Sequence, residues 1–97
     1  MVIKHLAVAA EWEEAVAGGG PYRRSTLGRS LDEVGFIHCS FDEQVAATAS
    51  LIYAGRDDVV VLTIDEARLG CEVRVEDGFP HIYGPLRLEA VVEVSRL

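Results

Sequence analysis

The 97-residue chain has little cysteine, few prolines and no long apolar run. No segment approaches the ~20 consecutive apolar residues that span a bilayer, and the N-terminus lacks the basic start and apolar core of a signal peptide. We therefore expect a cytoplasmic protein without a membrane segment. In that compartment the two cysteines, Cys39 and Cys71, are expected to be reduced thiols rather than a disulfide.

Positive charge is also scarce, since 9 basic residues face 16 acidic ones and the formal net charge is −7. General binding of nucleic acid requires a basic face that neutralises phosphates, so the net charge disfavours this class of function. One exception is an acid-free stretch with Arg23, Arg24 and Arg29, which forms a local positive patch. The length predicts a single domain, residues 1–97, with a modest core.

The apolar patterns predict the α+β class. Val59–Ile64 is a nearly continuous β-branched run, which is typical of a central strand covered on both faces. Other strands are expected over 1–9, 35–40, 71–76 and 86–94, and helices over 11–17 and 41–54, the second being the longer. An ordered loop with one helical turn near 30–34 lies between them. The prediction is a small mixed, largely antiparallel sheet with two helices.

The segment Phe79–Leu86 holds two prolines, a glycine, His81 and Tyr83. Proline fixes φ and removes a donor, and glycine permits positive φ, so we expect a stiff, non-repetitive segment. Histidine transfers protons near neutral pH and tyrosine offers a stacking face with a donor, which predicts a site. The competing interpretation is a core histidine held by a backbone carbonyl. Glu76 is a solvated acid by default, but it lies where it could face a cleft beside His81.

The strand over 35–40 places His38 and Ser40 on one face and Cys39 on the other. A regular strand therefore cannot direct His38 and Cys39 to one metal, and the spacing of the three histidines gives no metal-ligand motif. Ser40 stands three residues before Glu43, a pattern that predicts a helix N-cap rather than a nucleophile, although a capping serine can still touch a ligand. No serine hydrolase motif accompanies it.

The arginine patch is the candidate phosphate-binding element, because guanidinium groups match phosphate geometry in bidentate fashion. Arg23 is the residue we assign to this role. The alternative is a solvated loop whose arginines pair with acidic side chains.

Two stretches, Gly35-Phe36-Ile37-His38-Cys39-Ser40 and Phe79-Pro80-His81-Ile82-Tyr83-Gly84-Pro85-Leu86, resemble the signature of a bacterial family known only as a domain of unknown function. The resemblance also covers His5, Gln44, Glu76 and Tyr22-Arg23 with Ser25 and Leu27. That family resembles the ADP-ribosyltransferase-like group, in which a split mixed sheet holds a nicotinamide dinucleotide. The resemblance implies NAD as a possible cofactor, with His5 at the adenosine ribose, Ser40 at the nicotinamide ribose and Glu76 assisting transfer.

The sequence departs from the family pattern at Val34, where a carboxylate usually precedes Gly-Phe-Ile-His, and in a short link between Glu76 and Phe79. We predict a cleft that binds a nucleotide-like or other phosphorylated small molecule. An enzyme with such a cleft would carry out ADP-ribosyl or phosphoryl-linked transfer, with His81, Glu76 and His38 as catalytic residues. The ligand-binding residues are predicted to be His5, Arg23, Ser40 and Tyr83. The alternatives are a non-catalytic interaction module with structural histidines and a metal-dependent hydrolase.

Overall fold

The computed structural model describes residues 1–97 as eight strands, three α-helices and three 3-10 turns. The strands are β1 (Val2–Val8), β2 (Arg24–Thr26), β3 (Arg29–Ser30), β4 (Ile37–His38), β5 (Val59–Asp65), β6 (Glu72–Glu76), β7 (Phe79–Tyr83) and β8 (Val91–Arg96). The helices are α1 (Ala9–Ala17), α2 (Leu31–Val34) and α3 (Val45–Ile52), and the 3-10 turns cover Asp42–Gln44, Glu66–Arg68 and Leu88–Ala90. None of the helices combines the length and the apolar composition that a membrane-spanning helix needs.

The first sheet has the strand order β1-β5-β8. The β-branched run of β5 occupies its centre, where Leu62 and Ile64 are fully buried. The predicted central strand is confirmed. The predicted strand over 86–94 is wrong in its extent, because a 3-10 turn at Leu88–Ala90 breaks it and β8 begins only at Val91. Val92 and Val94 lie half exposed on this edge strand rather than in the core.

The second sheet has the order β4-β7-β6, and β7 is its middle strand. The prediction of a non-repetitive segment from residue 79 is therefore wrong for Phe79–Tyr83, which forms a regular strand. Pro80 is tolerated there because it lies beyond the last residue pair of β4 and β7, His38 and His81, so its missing N–H interrupts no ladder between them. Its carbonyl accepts a bond from the amide of Cys39 (3.0 Å), the residue after β4. Apolar Ile37 and Ile82 face the core from this sheet.

One backbone pairing joins the two sheets. Lys4 and Ser40 exchange both bonds, at 2.8 and 2.7 Å, and beyond this point β1 and β4 separate. The ribbon β2-β3 is the third sheet. The α+β class is confirmed, but every strand pair is antiparallel, so the sheet is not mixed.

The core consists of two apolar clusters. The larger includes Tyr22, Ile37, Leu62 and Ile82 between the sheets and α1, and the smaller lies beneath α3. The α3 face that the sequence predicts, with Val45, Ala49 and Ile52, packs on the smaller cluster together with Tyr53. This interpretation of the helix is confirmed, although α3 is shorter than α1 and begins only after a 3-10 turn.

The predicted helix cap at Ser40 is wrong. Backbone pairing with Lys4 holds Ser40 in extended conformation, and its hydroxyl lies against Thr48 instead of an amide of the next turn. A capping box does occur at α2, where the Glu33 amide donates to Ser30 Oγ and the Ser30 amide donates to Glu33 Oε1. The predicted helical turn near residues 30–34 is therefore confirmed as α2.

Candidate functional site

The register of the second sheet places two histidines side by side. His38 on β4 lies directly opposite His81 on β7, and their ring centroids are 5.3 Å apart. Directly opposed residues of an antiparallel pair share one face of the sheet, so the rings lie on the side away from the apolar residues. The sequence prediction that these histidines share one site agrees with this arrangement.

Glu76 is the centre of the polar contacts on this side. Its Oε1 accepts bonds from His81 Nδ1 (2.8 Å) and from the Tyr83 hydroxyl (2.5 Å). A carboxylate can only accept, so His81 carries a proton on Nδ1, and in the neutral ring Nε2 is free to act as a base. The Tyr83 and His81 donors hold the pKa of Glu76 below its usual range, and the Glu76 carboxylate raises the pKa of Tyr83.

A two-residue turn explains how Glu76 reaches His81. Asp77 and Gly78 both adopt positive φ, at 54° and 83°, as the tight hairpin turn between β6 and β7 requires. The turn pairs Glu76 with Phe79, and the carboxylate reaches diagonally across the strands to His81. The short link between Glu76 and Phe79 therefore allows the Glu76 carboxylate to reach His81.

Aromatic rings and one cation complete what we call the polar-aromatic face. Phe36 stacks on His81 with ring centroids 3.9 Å apart, and Phe79 lies 5.3 Å from His38. The Arg74 guanidinium lies 4.5 Å from the centre of the Tyr83 ring. The polar-aromatic face consists of Phe36, His38, Arg74, Glu76, Phe79, His81 and Tyr83.

Sequence reasoning missed Phe36 and Arg74 as members of the site. The period of two places Arg74 on the face of Glu76, and this was the available signal. Its position opposite His81 depends on the register between β6 and β7, which the sequence does not reveal. Phe36 was missed for the same reason, because its stacking partner His81 lies 45 positions further along the chain.

His38 connects this face to a small polar cavity. The ring makes no hydrogen bond to the protein, and burial together with the neighbouring His81 lowers the pKa of His38. The cavity, of about 10 Å³, is also lined by His5, Ser40 and Thr48. This volume is near the minimum that one water molecule needs.

His5 lies behind that cavity and is only 2% exposed. Its Nδ1 is 2.7 Å from the His38 carbonyl oxygen and its Nε2 is 2.9 Å from the Tyr22 hydroxyl. A carbonyl can only accept, so Nδ1 donates to it and Nε2 accepts from Tyr22. Burial lowers the pKa of His5 to about 4, so the ring is neutral at physiological pH. Both ring nitrogens bond to protein groups, and no direct contact with a ligand is open to them.

Ser40 is equally buried, and its Oγ lies 3.3 Å from Thr48 Oγ1. The structure therefore brings together His38, Glu76, His81 and Tyr83 on one face of the second sheet. It places His5 and Ser40 in the wall behind them. No cavity is lined by Glu76, His81 or Tyr83, so this face is not the cleft that the sequence predicts.

Arg23 belongs to a different part of the surface. It forms an ion pair with Asp32 (2.6 Å), and Arg24 pairs with Glu11. Arg23 lines a groove of about 380 Å³ beside α1 whose other charged residues include Glu11 and Glu14. No hydrogen bond or ion pair joins Arg23 to the polar-aromatic face, which agrees with the alternative of arginines paired with acids.

The structure contains no group of three or more His, Cys, Asp or Glu side chains that could hold a metal ion. Cys39 lies in the core, where burial raises the pKa of its thiol, and Cys71 is a second free thiol.

Gln44 connects two segments that carry the site. Its Oε1 accepts from the Phe41 amide (2.9 Å), close after β4, and its Nε2 donates to the Gly78 carbonyl (2.8 Å) in the turn between β6 and β7. Gln44 therefore holds the turn that presents Glu76 to the segment that follows His38.

These features define a small antiparallel α+β domain with a histidine and carboxylate site on one sheet. Residues 6–94 match the family model described as a protein of unknown function (DUF952), and the chain belongs to this family. No curated protein matches the chain.

Solved structures of protein CC0527 from Caulobacter crescentus are similar to this chain. Its crystal structure is 30% identical, with a TM-score of 0.82 over 100% of this chain and 86% of that one. The crystal structure of a double mutant of that protein is 29% identical with the same TM-score and coverage. Its solution NMR structure is 31% identical, with a TM-score of 0.77 over 99% of this chain and 84% of that one.

Proposed function

We propose that the polar-aromatic face binds a small molecule with a planar ring and that His81, oriented by Glu76, transfers a proton to or from it. The observation that carries this proposal is the bond between Glu76 Oε1 and His81 Nδ1. A base needs a fixed tautomer and a free ring nitrogen, and this bond supplies both. His81 and Glu76 are then the catalytic residues, and His38 lines the site beside them.

The rings around His81 favour a ligand with a planar group. Phe36, Phe79 and Tyr83 are each partly exposed and surround the two histidines. Flat heteroaromatic rings stack on such side chains, and every nucleobase has a suitable face. We therefore keep a nucleotide-like ligand of the NAD or ADP-ribose type as the proposed class, with Tyr83 as a contact.

The phosphate-binding role moves from Arg23 to Arg74 in this proposal. Arg74 is the only cation on the polar-aromatic face, whereas Arg23 already pairs with Asp32. Glu72 and Glu76 lie beside Arg74, so one phosphate or a neutral ligand suits the face better than a long polyphosphate. Phosphoryl-linked transfer is accordingly the weaker form of the proposed activity.

The proposed likeness to the ADP-ribosyltransferase-like group draws support from the separation of the sheets beyond Lys4 and Ser40. His5 and Ser40, to which the resemblance gives ribose-binding roles, lie beside this separation. Because both are buried and bonded to protein groups, we give them positioning roles. His5 holds the His38 carbonyl, and Ser40 forms the cavity wall.

The alternative of a non-catalytic module with structural histidines is favoured by one observation, the buried His5 with both nitrogens bonded. His38 does not match this description, since its ring has no protein partner, and His81 matches it only in part, since one of its nitrogens bonds to Glu76 and the other bonds to no protein group.

Calorimetric titration of the protein with ADP-ribose, NAD and nicotinamide tests the proposal. We expect saturable binding of at least one of them, and Glu76→Gln should weaken it, because an amide does not stabilise the His81 ring as a carboxylate does. Glu43→Gln is the matched control, since Glu43 is an exposed carboxylate that forms no hydrogen bond or ion pair, and this variant should bind normally. Absence of binding at millimolar ligand, or equal binding by Glu76→Gln and wild type, would contradict the proposal.

A further inference from the structure

Strand β6 forms an open edge of the second sheet, because the order β4-β7-β6 leaves it paired on one side only. Pro80 identifies which backbone groups face outwards. Its carbonyl accepts a bond from the amide of Cys39, which directly follows β4, and Val75 is its direct partner on β6. Opposed residues of an antiparallel pair direct their backbone groups either towards each other or away from each other. The N–H and C=O of Val75 therefore point away from β7, and those of Val73 do so as well.

The same edge exposes apolar surface. Val75 is 62% exposed, although the alternation of β6 predicts that it faces inwards. An edge strand with free backbone groups and an exposed apolar side chain is a template for pairing with another strand. No proline, bulge or covering element blocks this edge within β6.

The charges of β6 select a single register for pairing with a second copy of the strand. If Val73 lies opposite Val73 of the second copy, Glu72 lies opposite Arg74 on both sides of the two-fold axis. Val75 then lies opposite Cys71, which covers its exposed side chain. Two reciprocal ion pairs and a continuous apolar row result from this register.

The neighbouring registers that keep the outward groups paired are less favourable. Moving one copy by two residues in one direction places Arg74 opposite Arg74 and Glu72 opposite Glu76, and moving it in the other direction places Glu72 opposite Glu72. Like charges directly opposite each other are destabilising. A further step of two in the first direction pairs Val73 with Asp77, which lies in the turn with positive φ and cannot continue a ladder.

We propose that β6 pairs with β6 of a second copy of this chain in an antiparallel manner, with Val73 against Val73. The two second sheets then form one six-stranded sheet. Within each copy Arg74 already contacts Glu72 at 3.0 Å, so the two ion pairs of the interface join into a network of four charges on the side of the polar-aromatic face. The symmetric contact is isologous and closes as a dimer.

Sedimentation equilibrium over a range of protein concentrations tests the proposal, with circular dichroism as the check on folding. Wild type should show a concentration-dependent dimer. Val75→Pro should be monomeric, because it removes an outward N–H without removing a bond to β7. Val94→Lys, on the edge strand of the other sheet, is the matched control and should dimerise as wild type does. A wild type that is monomeric at every concentration, or a dimer that survives Val75→Pro, would overturn the proposal.

Charge exchange tests the register. Glu72→Arg and Arg74→Glu should each weaken the dimer about tenfold, because each places like charges opposite each other twice. The double variant Glu72→Arg/Arg74→Glu restores opposite charges within and between the copies, and its dimer should return towards wild-type strength. A double variant that dimerises no better than the single variants would exclude this register.

Discussion

His5 and His81 have the same side chain in two environments that differ in what the ring nitrogens can still do. Both are largely buried, at 2% and 7% exposure. Both ring nitrogens of His5 form hydrogen bonds to protein groups. In His81 only Nδ1 does so, with Glu76, and Nε2 forms no hydrogen bond to the protein. Burial alone therefore does not distinguish His5 from His81, the histidine for which we propose a function. The two rings differ instead in how many nitrogens form no hydrogen bond to the protein. In His81 the bond from Nδ1 to Glu76 leaves Nε2 as that nitrogen.

The largest effect on stability is expected for His5, whose two ring nitrogens are both bonded to protein groups. His5→Ala should lower the free energy of unfolding by about 4 kcal/mol, since it leaves a cavity and removes the partners of the Tyr22 hydroxyl and the His38 carbonyl. His38→Ala should cost less than about 1 kcal/mol, because that ring bonds to no protein group. Urea denaturation of the two variants measures the difference. Equal losses of stability in the two variants would contradict the distinction between the structural His5 and the unbonded His38.

The pH dependence of stability should reveal His5 as well. Its folded-state pKa of about 4 lies below the usual value of 6.5, so between these values the unfolded chain binds a proton that the folded chain does not. Stability is therefore lost as the pH falls from about 6.5 to about 4, by about 3 kcal/mol in total. The lowered pKa of His38 acts in the same direction.

Urea unfolding at several pH values measures this loss, and His5→Gln, which does not titrate, is the control. The difference in stability between wild type and this variant should shrink as the pH falls across the window. A difference that stays constant would show that His5 titrates normally in the folded state.

His81→Ala tests the same comparison at the second of the two histidines. It should cost about 2 kcal/mol in the free energy of unfolding, through the lost stacking on Phe36 and the lost bond to Glu76, yet abolish the proposed ligand binding. Thermal unfolding combined with calorimetric titration checks both parts. A variant that loses several kcal/mol would make His81 a structural residue like His5.

The smallest effect is expected at Gln44. Gln44→Ala should reduce stability by only about 0.5 kcal/mol, because the two hydrogen bonds that it removes are partly or fully exposed. It should nevertheless loosen the turn at Asp77 and Gly78 and speed hydrogen exchange of the neighbouring amides. Exchange rates of the β6–β7 hairpin measured by NMR check this, and rates equal to those of wild type would contradict the connecting role.

Local patterns predicted several parts of the fold. The β-branched run of β5 predicted a central strand, and the period of two placed His38 away from Cys39, as the structure has it. The error at Ser40 came from a pattern that occurs twice in the chain. Ser30-x-x-Glu33 caps a helix, whereas pairing with Lys4 prevents Ser40 from doing so. Local spacing cannot distinguish these two cases, because the deciding contact is distant in the sequence.

The candidate site was predictable only in part, for the same reason. The unusual composition of residues 79–86 drew attention to His81 and Tyr83, and the resemblance added Glu76. The contacts of Arg74 and Phe36 follow from strand register, which involves residues far apart in the chain. Arg23 was assigned from its charge, and the structure pairs it with Asp32. Charge in a sequence indicates a cation, but the folded surroundings decide whether it is available.

The central claim is that the polar-aromatic face binds a ligand while His5 is part of the scaffold. NMR of the three histidine rings during titration with ADP-ribose and NAD tests both halves in one measurement. We predict that the His38 and His81 signals shift saturably while the His5 signals stay in place. Signals of His38 and His81 that do not move at millimolar ligand, or a response confined to His5, would contradict the account.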